Sequence, residues 1–245
     1  MSVLLLSLSG PLQSWGDSSR FTVRQTRLEP TKSGVLGLAA AALGRVRGDS
    51  TDDLCALEFG VRADQPGTVI RDFQTERSMD GKIAMPLSHR YYLADAKFLV
   101  ALGGSDELIG EIEAALRSPK WPLYLGRRSC PPDGPVCRRP SDGPYSDIRD
   151  ALRSEPWIAS GWYRKRLESR GEPFPELEVT CDARDGEPFE ACMDLPLSFG
   201  EVRRYGQRHA TRFFVANPDE ADAATTPTPL SASNALREHD PMSFL

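Results

Sequence analysis

The chain has 245 residues, 40% apolar and 27% charged, a composition that excludes wholesale disorder, a collagen-like repeat and a membrane bundle. The formal net charge of -5 argues at first against a polyanionic partner, but the charge is segregated. Residues 1–47 hold six Lys/Arg against two acids, 117–139 six against one and 199–212 four against one, whereas 168–194 hold nine acids against two Arg, a pattern that reads as a basic face and an acidic face.

Residues 2–9 are short, apolar and bounded by Gly10-Pro11, which predicts a buried strand. The following loop sets Gln13 and Trp15 between glycines, unusual for a purely structural turn. Thr31 predicts a helix N-cap, after which Val35, Leu36, Leu38, Ala39, Ala42 and Leu43 run to a terminating Gly44. This helix is apolar nearly all round and therefore buried, with Gly34 and Gly37 letting a neighbour approach closely.

Residues 54–73 predict two strands with a turn at 65–67, and the polar stretch 74–90, carrying Arg77, Lys82, His89 and Arg90, a projecting hairpin or loop. Residues 91–102 predict a further strand. Ser105 then caps a second helix, with Asp106 and Glu107 in its first turn and Leu108, Ile109, Ile112, Ala115 and Leu116 as its buried stripe. A short strand is expected at 121–125, leading into Gly126-Arg127-Arg128-Ser129. The order strand, helix, strand, strand, helix, strand is the split βαβ arrangement of a ferredoxin-like α+β domain, expected over residues 1–130 with one sheet face open. Residues 131–216 read as a Pro-rich connector and an irregular β-containing C-terminal region, with a helix near 148–153 and strands at 177–181 and 211–215. Residues 217–245 are expected to be a flexible tail.

Five cysteines without a C-x-x-C pair fit neither a disulfide framework nor a common zinc site, and His89, His209 and His239 lie far apart; reduced thiols, no metal and no cofactor are expected. Without a basic n-region or a cleavage site after the first apolar run, a cytoplasmic location is expected, and no apolar run approaches the roughly 20 residues that span a bilayer. Thr31-Lys32-Ser33 lacks the glycines of a P-loop, yet a helix start with Lys32 and Ser33 suits a phosphate; the alternative is an ordinary capped helix. Arg127 and Arg128 suit bidentate phosphate contact and base stacking, against a solvated basic turn. Tyr91 and Tyr92 are base-stacking or core residues. His89, beside Ser88 and Tyr91, has the chemistry to activate a 2′-hydroxyl but no second base at motif spacing, so it reads as a hydrogen-bonding or RNA-contacting residue. The pairs Asp52/Asp53 and Asp182/Asp185 read as surface charge.

Three separated stretches, Leu8-Ser9-Gly10-Pro11-Leu12-Gln13-Ser14-Trp15-Gly16, Pro30-Thr31-Lys32-Ser33-Gly34-Val35-Leu36-Gly37-Leu38 and Tyr124-Leu125-Gly126-Arg127-Arg128-Ser129-Cys130-Pro131, together resemble the CasD family of the type I-E CRISPR surveillance complex, Cascade. The resemblance covers about residues 2–131. It implies a ferredoxin-like, RRM-like fold with a protruding thumb hairpin at about 74–90. It further implies a subunit at the foot of Cascade that holds the 5′ handle of the CRISPR RNA and contacts the large PAM-reading subunit and the adjacent backbone subunit, in antiviral defence. No catalysis is implied, because in type I-E complexes a different subunit cuts the repeat. A related type I-C subfamily cleaves repeat RNA, so a metal-independent endoribonuclease is the alternative; a protein-interaction domain with incidental basic loops is a third class. The candidate RNA-binding residues are Gln13, Trp15, Arg24, Arg27, Lys32, Ser33, Arg77, His89, Arg90, Arg127 and Arg128. For Trp15, packing of the loop onto the first helix is the structural alternative.

Overall fold

The first strand, β1 (Ser2–Ser9), alternates strictly in the side to which it sends its leucines, and the computed structural model builds a two-sided sheet around it. The structure describes residues 1–16, 22–141, 143–200 and 202–220, so the expected tail lies outside the described residues from position 221 on. In chain order the elements after β1 are β2 (Leu12–Gln13), β3 (Val23–Arg24), α1 (Lys32–Leu43), α2 (Asp52–Cys55), β4 (Glu58–Gln65), β5 (Thr68–Gln74), β6 (Ser88–Ala94), β7 (Lys97–Gly104) and α3 (Asp106–Arg117). There follow β8 (Cys137–Arg138), α4 (Ile148–Ser154), α5 (Gly161–Arg170), β9 (Leu177–Asp182), β10 (Glu190–Ser198) and β11 (Arg204–Val215).

Among the described residues a large antiparallel sheet runs in the order β10-β11-β9-β4-β7-β1-β8, and a smaller one joins β2, β3 and β5 to β6. The large sheet crosses the boundary expected at residue 130, since β8 pairs with β1 and β9 pairs with β4. Leu4, Leu6 and Leu8 of β1 meet Phe59 and Val61 of β4, Phe98, Val100 and Leu102 of β7, and the buried faces of α1 and α3. Val3 and Leu5 point the other way, toward Ile148 and Leu152 of α4 and Trp157.

That second layer corrects the expectation of an open sheet face. The reason is Arg62 of β4, fully buried, which pairs with Asp64 at 2.7 Å and donates to the carbonyls of Leu152 at 2.7 Å, Glu155 at 2.8 Å and Pro156 at 3.0 Å. It thereby satisfies carbonyls at and beyond the end of α4 that no helix hydrogen bond reaches, and locks the helix onto the sheet.

All three expected helices form, the one near 148–153 as α4, and the first two carry their expected caps. The Thr31 hydroxyl accepts from Gly34 N, Gly44 closes α1 in the left-handed conformation, and Ser105 accepts from Leu108 N. The strand expected at 91–102 is instead two strands in two sheets, because Asp95 takes φ 56° and turns the chain between β6 and β7. Residues 121–125 form no ladder; Leu125 exchanges backbone bonds with Ser14 and Cys130, and the strand that follows α3 is β8, inside the expected connector. Strands β9 and β11 contain the expected 177–181 and 211–215, whereas β10 and α5 were not foreseen.

The start of α1 is held by four charged side chains. Asp194 of β10 accepts from Lys32 N at 2.8 Å and from Arg208 Nε and Nη2 at 2.8 and 2.9 Å. Asp182 of β9 accepts from Lys32 Nζ at 2.9 Å, Arg208 Nη1 at 3.1 Å and Phe59 N at 2.9 Å. Burial by itself would raise the Asp194 carboxyl, but the hydrogen bonds and charge of Arg208 outweigh it and hold the group below its usual range. Asp182 is therefore an internal anchor, a correction to its reading as surface charge.

Replacing Asp194 by Ala leaves Arg208 buried without its main partner and α1 without an anchor, and should cost roughly 3–5 kcal/mol, read as a lower melting temperature. Because the folded carboxyl is depressed, its stabilisation is complete above the unfolded value of about 3.9 and is lost as pH falls through the folded value; Asp194→Ala should flatten the acid limb of a melting-temperature profile.

Candidate nucleic-acid interface

A cleft of about 680 Å³ lies beside α1, completed by the loops 14–16, 45–51 and 121–131 and by Phe199, Arg203 and, on β11, Tyr205. Its wall begins with Trp15, buried, whose indole N–H donates to Gln13 Oε1 at 3.0 Å, while Gln13 Nε2 donates to the carbonyls of Leu8 at 3.0 Å and Ala96 at 2.8 Å. The indole lies on Gly34 of α1, where a Cβ would stand 2.8 Å from the ring. Gly126, at φ 86°, lets the 121–131 loop touch the Ser14 carbonyl, a place with no room for a Cβ. Glycines thus bring an aromatic loop, a helix and an arginine loop into contact.

Arg47, Arg128 and Arg203 line the cleft and are exposed, and among the described residues none of the three makes a side-chain hydrogen bond or ion pair. Arg45 also lines it but is tied to Asp53 and to the Ser50 carbonyl. Trp121 and Tyr124 are 51% and 37% exposed, and Tyr205 and Phe199 are half-buried. Unpaired guanidinium groups interleaved with exposed rings can contact phosphates while bases stack. Arg47 comes from basic segment 1–47, Arg128 from 117–139 and Arg203 from 199–212, so the three basic segments meet at this cleft.

The residues singled out in the sequence divide between this cleft and other places. Trp15, Ser33 and Arg128 line it. Gln13 sits beneath Trp15, fully buried. Lys32 and Ser33 are buried, and Lys32 gives its ammonium to Asp182 and the Leu57 carbonyl, so the helix start holds a carboxylate of the protein itself in the place read as suited to phosphate. Arg127 faces away from its neighbour, donating to the carbonyls of Tyr91 at 3.1 Å and Arg24 at 2.9 Å with its guanidinium 4.6 Å above the buried Tyr92 ring.

Arg27 is half-buried and joined to Trp15 by backbone bonding. Arg24, His89 and Arg90 lie in the smaller sheet, where Arg90 pairs with Glu76 at 2.8 Å and Arg24 and Arg77 are exposed. His89 donates its backbone N–H to the Thr22 carbonyl at 2.6 Å, and its Nδ1 is buried without a partner. Arg47, Arg203, Trp121, Tyr124 and Tyr205 were missed as site residues; the segmental charge count was the signal for the two arginines, the stretch 124–131 that carries the resemblance contained Tyr124, and no local pattern marks the other two rings. The five cysteines are unpaired, burial pushes the Cys181 thiol up to about 12, and no group suited to a metal ion occurs among the described residues.

The family model described as CRISPR-associated protein (Cas_Cas5) matches residues 3–211. The CRISPR system Cascade subunit CasD of Escherichia coli (strain K12) is 38% identical over 156 residues, covering 55% of this chain and 69% of that protein. A solved structure described as a CRISPR RNA-guided surveillance complex contains a chain 32% identical, with a TM-score of 0.71 and 89% of this chain and 92% of that chain covered. Another, described as a crystal structure of a Cas protein, is 36% identical with a TM-score of 0.66, covering 87% of this chain and 94% of that one.

Adjacent arginines should behave oppositely. Arg127→Ala removes hydrogen bonds to the Tyr91 carbonyl of β6 and the Arg24 carbonyl of β3 and should lower stability by about 1–2 kcal/mol, whereas Arg128→Ala should leave the melting temperature unchanged; paired thermal melts distinguish them.

Proposed function

The chain belongs to the CRISPR-associated protein (Cas_Cas5) family, and on that premise we propose that it is a non-catalytic subunit of a Cascade-type surveillance complex whose arginine-lined cleft holds the 5′ handle of the CRISPR RNA. The observation that carries this reading is convergence: the three stretches that resemble CasD and the three basic segments all contribute to one cleft. Arg47, Arg128 and Arg203 supply the phosphate contacts, and Trp121, Tyr124 and Tyr205 supply ring faces for splayed bases, a combination suited to a hooked single strand and not to a duplex.

We read β1, α1, β4, β7, α3 and β8 as the split βαβ unit of a ferredoxin-like domain. Supporting this are the spatial order β8-β1-β7-β4, antiparallel throughout, and the packing of both helices on one face. The hairpin of β5 and β6 with its 75–87 loop is our candidate for the thumb. Its exposed Phe73, Met79, Ile83 and Met85 suit contact with a neighbouring protein subunit, as expected of the backbone and large PAM-reading subunits.

A holding role fits the chemistry better than cleavage. His89, the candidate base, does not line the cleft and has its Nδ1 enclosed. In this role the subunit binds and orients RNA, and no bond to it is made or broken.

With labelled cognate repeat RNA in metal-free buffer, wild type should retain the RNA uncut. Arg47→Ala/Arg128→Ala/Arg203→Ala should weaken retention at least about tenfold and reduce the slope of log K against log salt by roughly 2, the loss of three single-strand phosphate contacts. Retention unaffected by the triple change would remove the cleft from the account. Specific cleavage by wild type that disappears in His89→Ala would replace it with an endoribonuclease.

A further inference from the structure

Helix α5 has no place in the cleft, and its surface is unlike its surroundings. It carries Arg164, Lys165, Arg166 and Arg170 against Glu168 alone, just ahead of the acid-rich run to residue 194. At 100° per residue, Trp162, Lys165, Arg166, Ser169 and Arg170 fall within an arc of about 140°. All five are exposed, and the arc holds three cations and no acid. On the other side of the helix, Leu167 is buried in the layer around Trp157, and Arg164 is held by Asp219 and the Trp157 carbonyl.

The aromatic residues of this face serve the cations. The Arg166 guanidinium lies 5.2 Å from the Trp162 ring and 5.0 Å from the Tyr163 ring, which meet edge to face at 5.9 Å. With a guanidinium over it, the indole orients a positive charge in place of stacking on a base, so little side-chain freedom remains to be lost when an anion binds. Arg170 has only an exposed pair with Glu172 at 3.8 Å, too solvated to neutralise it. Three exposed cations in one arc with no acid among them fit a phosphate backbone read without regard to sequence.

The position separates this face from the cleft. α1 packs on the side of the large sheet that receives Leu4, Leu6 and Leu8, whereas Leu167 of α5 belongs to the layer on the side of Val3 and Leu5. We propose that α5 is a second, sequence-independent contact for a nucleic-acid backbone, used by a segment other than the strand in the cleft. This inference stands on α5 itself and does not depend on what the cleft binds.

The test uses the full-length protein with two probes of unrelated sequence, a short duplex DNA and a short single-stranded RNA, at several salt concentrations, and with anionic phospholipid vesicles as a control. It is run in wild type and in the Arg47→Ala/Arg128→Ala/Arg203→Ala background, so that failure of the cleft reading shows separately. In both backgrounds, Lys165→Glu/Arg166→Glu/Arg170→Glu should weaken binding of at least one probe about tenfold and lower the salt slope by roughly 2–3; the probe affected identifies the source of the backbone. Lys165→Ala/Arg166→Ala/Arg170→Ala, which retains helix propensity, should give a smaller loss at unchanged melting temperature. Unchanged affinity and slope for both probes with either α5 variant would overturn the proposal, as would a loss seen only for anionic vesicles.

Discussion

Two carboxylates, Asp182 on β9 and Asp194 on β10, hold the first turn of α1, and the cleft exists because α1 is held. Lys32 and Arg208 complete the set, so that two anions and two cations meet where the helix joins the C-terminal strands. Such a buried group contributes little net stability over a well-packed apolar contact, because desolvation of four charges offsets their attraction. Its effect is positional. An apolar contact tolerates a slide of the helix along the sheet, whereas fixed donors on two carboxylates do not. The Cas_Cas5 family match runs from residue 3 to 211, across both partners of this contact, so the sheet and the helix it holds belong to one structural unit.

From that fixed helix the wall of the cleft follows by close approach. Gly34 accepts the Trp15 indole, Gln13 accepts its N–H, and Gly126 brings the arginine loop to the Ser14 carbonyl. A stripe of small residues on α1 leaves room for rings and loops where larger side chains would have filled it. The residues that shape the cleft are thus largely buried and spent on each other, and the groups left for a ligand are those at its rim, Arg47, Arg128 and Arg203.

Much of this was legible in the sequence, and the rest failed for identifiable reasons. α1 and α3 carry hydroxyl caps and apolar faces that depend only on neighbours in sequence, and both formed where expected. The run 91–102 alternates well enough to read as one strand; that Asp95 takes a left-handed turn is a local event with no compositional mark. β10 escaped notice because its inward positions are Cys192, Asp194 and Pro196, two of which break the apolar alternation, and Asp194 is inward only because Arg208 and the start of α1 neutralise it. α5 buries Leu167 alone, so no apolar period announces it. At the site, residue chemistry was legible and direction was not. Lys32 and Arg127 are cations suited to phosphate, yet their partners, Asp182 and the Tyr91 and Arg24 carbonyls, are 150, 36 and 103 residues away.

The same distinction explains how a chain of net charge -5 can present a basic cleft. Its acids are not spread to cancel its cations in proportion. Asp182 and Asp194 neutralise Lys32 and Arg208, Glu155 faces Arg138, and Glu187 takes Arg149, which pulls its carboxyl down to about 2. Each of these pairs removes one cation from contention as a ligand contact without changing the total. What remains unpaired at the cleft rim and on α5 determines the field a polyanion meets within a Debye length of about 10 Å. For a polyanion-binding surface the informative number is therefore the count of cations left without an acid, and that count is set by the fold.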